Sequence, residues 1–444
     1  MMKTGRRDFL KTAAGLGAFG LPTIGSSFYQ SVLGAQAPAK KAKKLGKAKS
    51  VIQIWMWGGP SQLETFDPKP GAGKSYCGAW DKPIKTSVPG LEFSQSIPLL
   101  ASCADMFSVL RSVTHGDFGH ETAAYKMQTG RTPGGNLVYP AIGAVVSLMK
   151  GYRAGYDSAI PPYIVLTNPL GRFSECGFLG TNYKPYATGS DPSRERFLAS
   201  GFVLEGVDEK RQEQRLNLLD SVDLYGKIID KNELAKSLET ARIDAFGVLT
   251  GDEVKTFDLS LEKEEIRKSY GMNKFGQSCL MARRLVEKGV PYVAINYEGG
   301  WDTHGKHFEH LTRKQPEMDQ AVSFLFKDLR DRNLLDDTIV WWGGEFGRTP
   351  KMDYNSPWFG GRGHYGTCFC HMIGGGGLKS GLAIGESDKT AEHVAKRAIE
   401  PQDLLGLICM QLGFDPDAKM PNDKGFDVPT MAPASAEGYV TELI

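Results

Sequence analysis

The stretch from 280 to 349 constrains the fold more than any other. Pro291-Tyr292-Val293-Ala294-Ile295-Asn296-Tyr297 is an apolar run of strand length that opens into Glu298-Gly299-Gly300-Trp301-Asp302-Thr303-His304-Gly305. Met318, Ala321, Val322, Leu325 and Leu329 then recur at helical spacing, and Thr338-Ile339-Val340-Trp341-Trp342 is a second strand. It ends in Gly343-Gly344-Glu345-Phe346-Gly347-Arg348-Thr349-Pro350. A strand–helix–strand crossover yields parallel, neighbouring strands, because the connection carries the chain back to the edge it started from. Both polar loops therefore leave the same edge of the sheet, where open α/β sheets place ligands. Asp302, His304 and Glu345, distant in sequence, are predicted to lie close in space.

The rest of the chain extends this pattern. Residues 51–57 are a buried-strand run that stops at Gly58-Gly59-Pro60, and 106–111 and 161–167 are further short strands. Residues 121–128 read as a helix closed by Thr129-Gly130. Residues 185–275 are charged and mostly helical, clearest at 211–219 and 231–242, and read as an insertion that shapes access to the core. The expectation is one domain over 51–444, an α/β three-layer sandwich with a largely parallel central sheet, although 444 residues would accommodate about three average domains. A hydrophobic content of 41% with 23% charged residues fits such a core and excludes a disordered or collagen-like chain. The 53 glycines follow no repeat; many gather at 58–59, 299–300, 343–347 and 360–366, the strand exits.

The formal charge of +2 hides an uneven distribution. Residues 1–37 carry +3 and the lysine-rich linker 38–50 carries +6, which leaves −7 on residues 51–444. No whole-protein field for nucleic acid is implied. Thr4-Gly5-Arg6-Arg7-Asp8-Phe9-Leu10-Lys11 resembles a twin-arginine leader, followed by a weakly apolar stretch too short to span a bilayer, which needs ~20 residues. Ala35-Gln36-Ala37 offers a small-x-small cleavage site. The leader implies export to the periplasm or beyond, with cleavage near Ala37, and no transmembrane segment follows. Disulfides are permitted there, yet the seven cysteines are odd in number and form no CxxC pair, so buried thiols are expected for most.

Two glycine-rich stretches are decoys. Gly71-Ala72-Gly73-Lys74-Ser75 ends like a phosphate-binding loop, but Pro68 stands where the first glycine belongs. Gly374 to Gly377 reads as a tight strand exit. The histidines are more informative. His115 and His120 follow one strand, His304 follows another, and His364 lies in Gly361-Arg362-Gly363-His364-Tyr365-Gly366 just before a third. Imidazoles with carboxylates suit a divalent ion such as zinc, calcium or manganese. His307 and His310 fall on a polar helical approach and read as solvated surface, and His371 and His393 suggest no function.

The order Asp302-x-His304, then Met318-Asp319, Leu335-Asp336-Asp337-Thr338-Ile339-Val340, Glu345 and His364 resembles the alkaline phosphatase-like superfamily, which includes sulfatases and cofactor-independent phosphoglycerate mutases. More closely, the chain resembles a bacterial family of exported proteins of unknown function (domain of unknown function 1501). The resembling segments are Gly58-Gly59-Pro60-Ser61 through Phe66-Asp67-Pro68-Lys69-Pro70, His120 through Thr129-Gly130, Gly177-Phe178-Leu179-Gly180, Gly300-Trp301-Asp302-Thr303-His304 and Gly344-Glu345-Phe346-Gly347-Arg348-Thr349-Pro350.

The resemblance implies an alkaline phosphatase-like fold with one or two divalent metals at the sheet's carboxyl edge, and attack on a phosphate or sulfate ester from a helix start. Carried over, Asp302, His304, Glu345 and His364 are the metal candidates, and His120 is nucleophile, general base, ligand or structural cap. Its place at a helix start is expected to favour neutral imidazole. Arg348 and Arg131 would bind anionic oxygens bidentately. Three departures stand out. The first strand ends in Gly58-Gly59 where an aspartate is usual, with Ser61, Glu64 and Asp67 available to compensate. His120 stands at the sulfatase cysteine position, which argues against formylglycine chemistry. Glu345-Phe346 replaces an Asp-His pair. The reading is a metal-dependent hydrolase of an anionic small-molecule or polysaccharide ester; the alternative is a catalytically degenerate binding or scaffold protein on the same fold.

Overall fold

Ser50–Met56 (β1) is buried at every residue, as a strand covered on both faces must be. The remaining strands of the same sheet are Phe107–Val113 (β2), Tyr163–Leu166 (β3), Tyr186–Ala187 (β4), Tyr292–Tyr297 (β5), Thr338–Gly343 (β6), Phe369–Gly375 (β7) and Ala383–Ile384 (β8). The computed structural model describes residues 44–169, 171–194 and 253–444, so the leader and the helices expected at 211–219 and 231–242 lie outside the described residues. Among the described residues, no helix is long and apolar enough to cross a membrane.

The strand order is β8-β2-β7-β6-β1-β5-β3-β4. β1 pairs in parallel with β5 on one side and β6 on the other. The crossover strands β5 and β6 are therefore parallel as expected but not neighbours; β1, apolar on both faces, sits between them. β7 runs antiparallel to both β6 and β2, and every other pairing in the sheet is parallel. The ends of β1, β2, β5 and β6 consequently share one edge. β4 closes one side of the sheet, where Tyr186 and Ala187 pair with Ile164 and Val165.

Alternation along the strands divides the core in two. Ile52, Ile54, Met56, Val293, Ile295, Val340 and Trp342 face a layer built by Lys274–Glu287 and His307–Asp331. Val51, Trp55, Ala294, Ile339 and Trp341 face a layer built by His120–Thr129, Ile142–Lys150 and Pro401–Gln411. In chain order these helices are α1 (His120–Thr129), α2 (Ile142–Lys150), α3 (Lys274–Glu287), α4 (His307–Asp331) and α5 (Pro401–Gln411). The result is a three-layer α/β sandwich with a largely parallel sheet. All seven cysteines are buried.

Helix ends follow local chemistry. Asn273 accepts from Gly276 N at 2.9 Å at the start of α3, and Glu400 with Asp403 forms a reciprocal capping box on α5. α1 has no side-chain cap, so its first turn keeps its amides for other partners, and Gly130 closes it in the left-handed conformation at φ 66°. The glycines after β1 meet a tighter constraint. Gly58 has φ 109°, and a Cβ there would lie 2.4 Å from Asp302 N; a Cβ on Gly59 would lie 2.5 Å from the Phe346 ring. The missing aspartate of the first strand thus has a steric reason, since the loops after β5 and β6 press directly on this backbone. Gly58→Ala is expected to destabilise the fold by ~2 kcal/mol or more through both the clash and the left-handed strain, read as a lower urea midpoint.

Candidate functional site

Five segments converge at the sheet's carboxyl edge. Trp57-Gly58-Gly59 follows β1, His120 opens α1 after β2, Asp302 and His304 follow β5, and Glu345 and Arg348 follow β6. A short antiparallel pairing sets His364 opposite Arg348 and Tyr365 opposite Gly347, which returns the fifth segment to the same place.

The two ring nitrogens of His120 face different partners. Nδ1 lies 2.6 Å from Glu345 Oε1, and Nε2 lies 3.4 Å from Asp302 Oδ2. Glu345 Oε1 also accepts the Gly58 amide at 2.9 Å, so a fully buried carboxylate holds the ring from behind. His364 is held the same way: its Nδ1 donates to Phe118 O at 2.6 Å, and its Nε2 faces Asp302 Oδ1, 3.1 Å away. His304 Nε2 lies 2.9 Å from His364 Nε2 and 3.0 Å from Asp302 Oδ1. One ligand atom from each of His120, Asp302 and His364 lies within 4.8 Å of the others.

This donor set fits a divalent ion. Two imidazoles present Nε2 to a shared carboxylate, and each is oriented through Nδ1 by an oxygen, the arrangement in which outer oxygens fix metal-binding histidines. Glu345, expected as a direct ligand, spends Oε1 on His120 and Gly58, while its Oε2 is buried without a hydrogen-bond partner among the described residues. Aromatic rings fix the imidazoles from the sides. Trp57 stacks on His120 at 5.4 Å and 18°, and Phe346 stacks on His364 at 4.5 Å and 25° while lying 5.0 Å from His120. Phe346, which cannot ligate, packs the rings that can.

The charges are strongly coupled. Burial disfavours charge on His120, but its hydrogen bonds to the Asp302 and Glu345 carboxylates outweigh it and lift the imidazole to about 9. The neutral ring expected at a helix start is therefore corrected: two carboxylates dominate the helix dipole. Asp302 is also opposed by burial, yet the His120 and His364 hydrogen bonds and the Arg348 charge hold its carboxyl well below the usual range. Arg348 Nη1 donates to Asp302 Oδ1 at 2.7 Å and Gly58 O at 3.0 Å, and Nη2 donates to Arg362 O. Its side chain is fully buried. The expected bidentate grip of Arg348 on an ester is not available in this arrangement, because its terminal nitrogens are bound to the protein.

The other expected substrate-binding residues do not join the cluster's hydrogen bonds. Ser61 is buried beside the Glu64 carboxylate. Asp67 pairs with Lys69 at 3.0 Å and accepts from Ser387. Arg131 donates to Pro429 O at 2.9 Å, covers the Tyr139 ring and lines a separate cavity with Lys126 and Gln402. His115 lies one layer behind the site: its Nδ1 accepts from Asp117 N, so its Nε2 donates to Glu345 O at 2.6 Å.

A family model described as "Protein of unknown function (DUF1501)" matches residues 48–436. A search of curated proteins finds no match. Similar solved structures include Ps i-CgsB in complex with k-i-k-neocarrahexaose, at 13% identity and TM-score 0.39 over 86% of this chain and 75% of that one. The lipoteichoic acid synthase LtaP from Listeria monocytogenes is similar at 9% identity and TM-score 0.36, over 88% and 77% of the two chains. Alkaline phosphatase from the Antarctic bacterium TAB5 is similar at 10% identity and TM-score 0.32, over 78% and 96%.

A second buried network ties the same loops together, and pattern reading missed it. His307, expected as solvated surface, is 1% exposed. Its Nε2 lies 2.9 Å from Glu64 Oε2 and its Nδ1 lies 2.6 Å from the Thr303 hydroxyl. Arg362 Nη2 donates to Glu64 Oε1 at 2.6 Å, and its Nη1 donates to Thr349 O at 2.9 Å. The one sequence cue was Arg362 set between two glycines beside His364. Burial pushes His307 down from 6.5 to about 4, more than the Glu64 charge restores. Burial works against the Glu64 charge, but Arg362 and His307 bring its carboxyl from 4.5 to about 2. The unfolded chain therefore binds more protons than the folded one in both windows. Stability is expected to fall as pH drops from 6.5 to 4 through His307, and from 4.5 to 2 through Glu64. Urea midpoints across pH 2–8 check this, with His307→Gln flattening the upper window. Glu64→Gln, which leaves Arg362 buried without its carboxylate, is expected to cost ~3–5 kcal/mol at neutral pH.

Proposed function

The chain belongs to the DUF1501 family of proteins of unknown function, and from that premise we propose that it is an exported, metal-dependent hydrolase of a phosphate or sulfate ester. One observation carries this reading: one ligand atom from each of His120, Asp302 and His364 lies within 4.8 Å of the others at the carboxyl edge of a largely parallel sheet. His120, Asp302 and His364 would hold the ion, with His304 Nε2 beside them. A divalent ion bound there would neutralise ester oxygens and activate an attacking group.

The chain's own residues support the same chemistry. Glu345 and the Phe118 carbonyl aim the two imidazoles. The uncapped start of α1 adds a favourable dipole for an anion. In the metal-free protein His120 keeps a proton to about pH 9, which the ion would displace from Nε2 on binding. Arg348 offsets the Asp302 charge from below, which keeps the edge receptive to an anion.

A second reading, a binding protein that lost catalysis, is favoured by the Arg348 contact. A buried guanidinium already neutralises Asp302, and Gly58 and Phe346 supply no ligand atom. Export rests on the leader motif at residues 4–11.

Protein spanning residues 38–444 is expected to carry a divalent metal by elemental analysis and to turn over at least one member of a panel of aryl phosphates, phosphodiesters and sulfates. Asp302→Asn and His364→Gln are each expected to lower bound metal at least tenfold. Metal-free protein that stays inactive after metal is supplied would sink the hydrolase reading and leave the binding protein. Replacing Arg6 and Arg7 by lysine is expected to retain the precursor in the cytoplasm, with the exported form of the wild type beginning at Pro38.

A further inference from the structure

A cavity of about 700 Å³ borders the site on the side of the segment 349–365. It is bounded by Tyr354, Trp358 and Tyr365, with Lys351, Asp353 and Asn355 between them. It meets the cluster through Trp358. The Trp358 ring is 4.4 Å from the His304 ring, and the cavity wall includes Gly363 and Thr349, the neighbours of His364 and Arg348. The Thr349 hydroxyl accepts from Gly363 N at 2.9 Å, which ties the segment carrying Arg348 to the segment carrying His364 at the cavity wall.

Aromatic side chains are unusually open here. Tyr354 is 57% exposed, and Phe359, on the same segment, is 68% exposed. Two large rings exposed on one short segment mark a recognition surface rather than a folding need. The volume is that of a site for a small organic group. The interleaved polar groups decide what kind of group. Among the described residues, the Lys351 ammonium and the Asn355 side-chain amide have no protein partner. An alkyl chain would bury them dry at a cost. A sugar ring meets both demands: its C–H face lies on an aromatic ring, and its hydroxyls reach the amide, ammonium and carboxylate.

The geometry points to this cavity as the subsite for a sugar ring whose ester anion enters the His120–Asp302–His364 cluster. The inference rests on the ester-hydrolase reading and names its substrate class, an anionic carbohydrate ester. Trp358 and Tyr354 are then specificity residues that hold the ring while the cluster holds the anion.

The test measures binding rather than turnover. Isothermal titration of residues 38–444 uses a panel of sulfated galactose, fucose and glucosamine hexasaccharides, with inorganic sulfate and decyl sulfate as controls. At least one hexasaccharide is expected to bind tenfold or more tighter than inorganic sulfate. Trp358→Ala and Tyr354→Ala should each remove at least tenfold of that affinity while leaving the inorganic sulfate isotherm unchanged. Three outcomes overturn the inference: no hexasaccharide exceeds inorganic sulfate, decyl sulfate binds more tightly than every sugar, or both variants bind the sugar as the wild type does. Sugar binding without turnover of any ester would instead count against the hydrolase reading alone.

Discussion

The ion pair between Arg348 and Asp302, at 2.7 Å with the guanidinium fully buried, is the contact on which the rest of the edge depends. Burying an arginine is costly unless its charge is paired. Here Nη1 binds both Asp302 and the Gly58 carbonyl, and Nη2 binds the Arg362 carbonyl. A single side chain therefore clamps the loop after β1, the loop after β5 and the segment that carries His364. With that clamp in place, Asp302 stays ionised and can gather His120, His304 and His364 around it.

The second network repeats this logic one layer deeper. Glu64 receives Arg362 on one oxygen and His307 on the other, and His307 reaches Thr303, two residues before Gly305 and one after Asp302. The two buried arginines are linked, since Arg348 donates to the backbone of Arg362. Polar networks of this kind are stabilising only when fully satisfied. Their position explains why glycine crowds the strand exits. Gly58, Gly59 and Gly361 lie where a Cβ would meet Asp302, Phe346 or the His304 carbonyl.

Much of the fold was legible from hydrophobic periodicity. The strands expected at 51–57, 291–297 and 338–342 are β1, β5 and β6 to within a residue or two, because runs buried on both faces have an unambiguous composition. The helix legible at 318–329 extends back to His307, since its first turns are polar and carry no apolar period. The neighbours of each strand were not legible. β1 lies between β5 and β6 because pairing is a global choice, and nothing local to 291–342 records a strand two hundred residues earlier. In the site, the residue types were legible and their roles were not. Glu345 stands out in its motif, but its place behind His120 depends on a partner 225 residues away.

By itself the sequence determined that a parallel sheet would carry Asp302, His304 and Glu345 to one edge, because crossover connections leave no other arrangement. It also determined the chemistry available there, two carboxylates, several imidazoles and an arginine. Only the tertiary structure decided which nitrogen of each ring faces the cluster, that Arg348 is spent on holding loops, and that His307 is interior. Those outcomes are hydrogen bonds between segments brought together by folding, and their direction is set by the partner each atom finds there rather than by its neighbours in the chain.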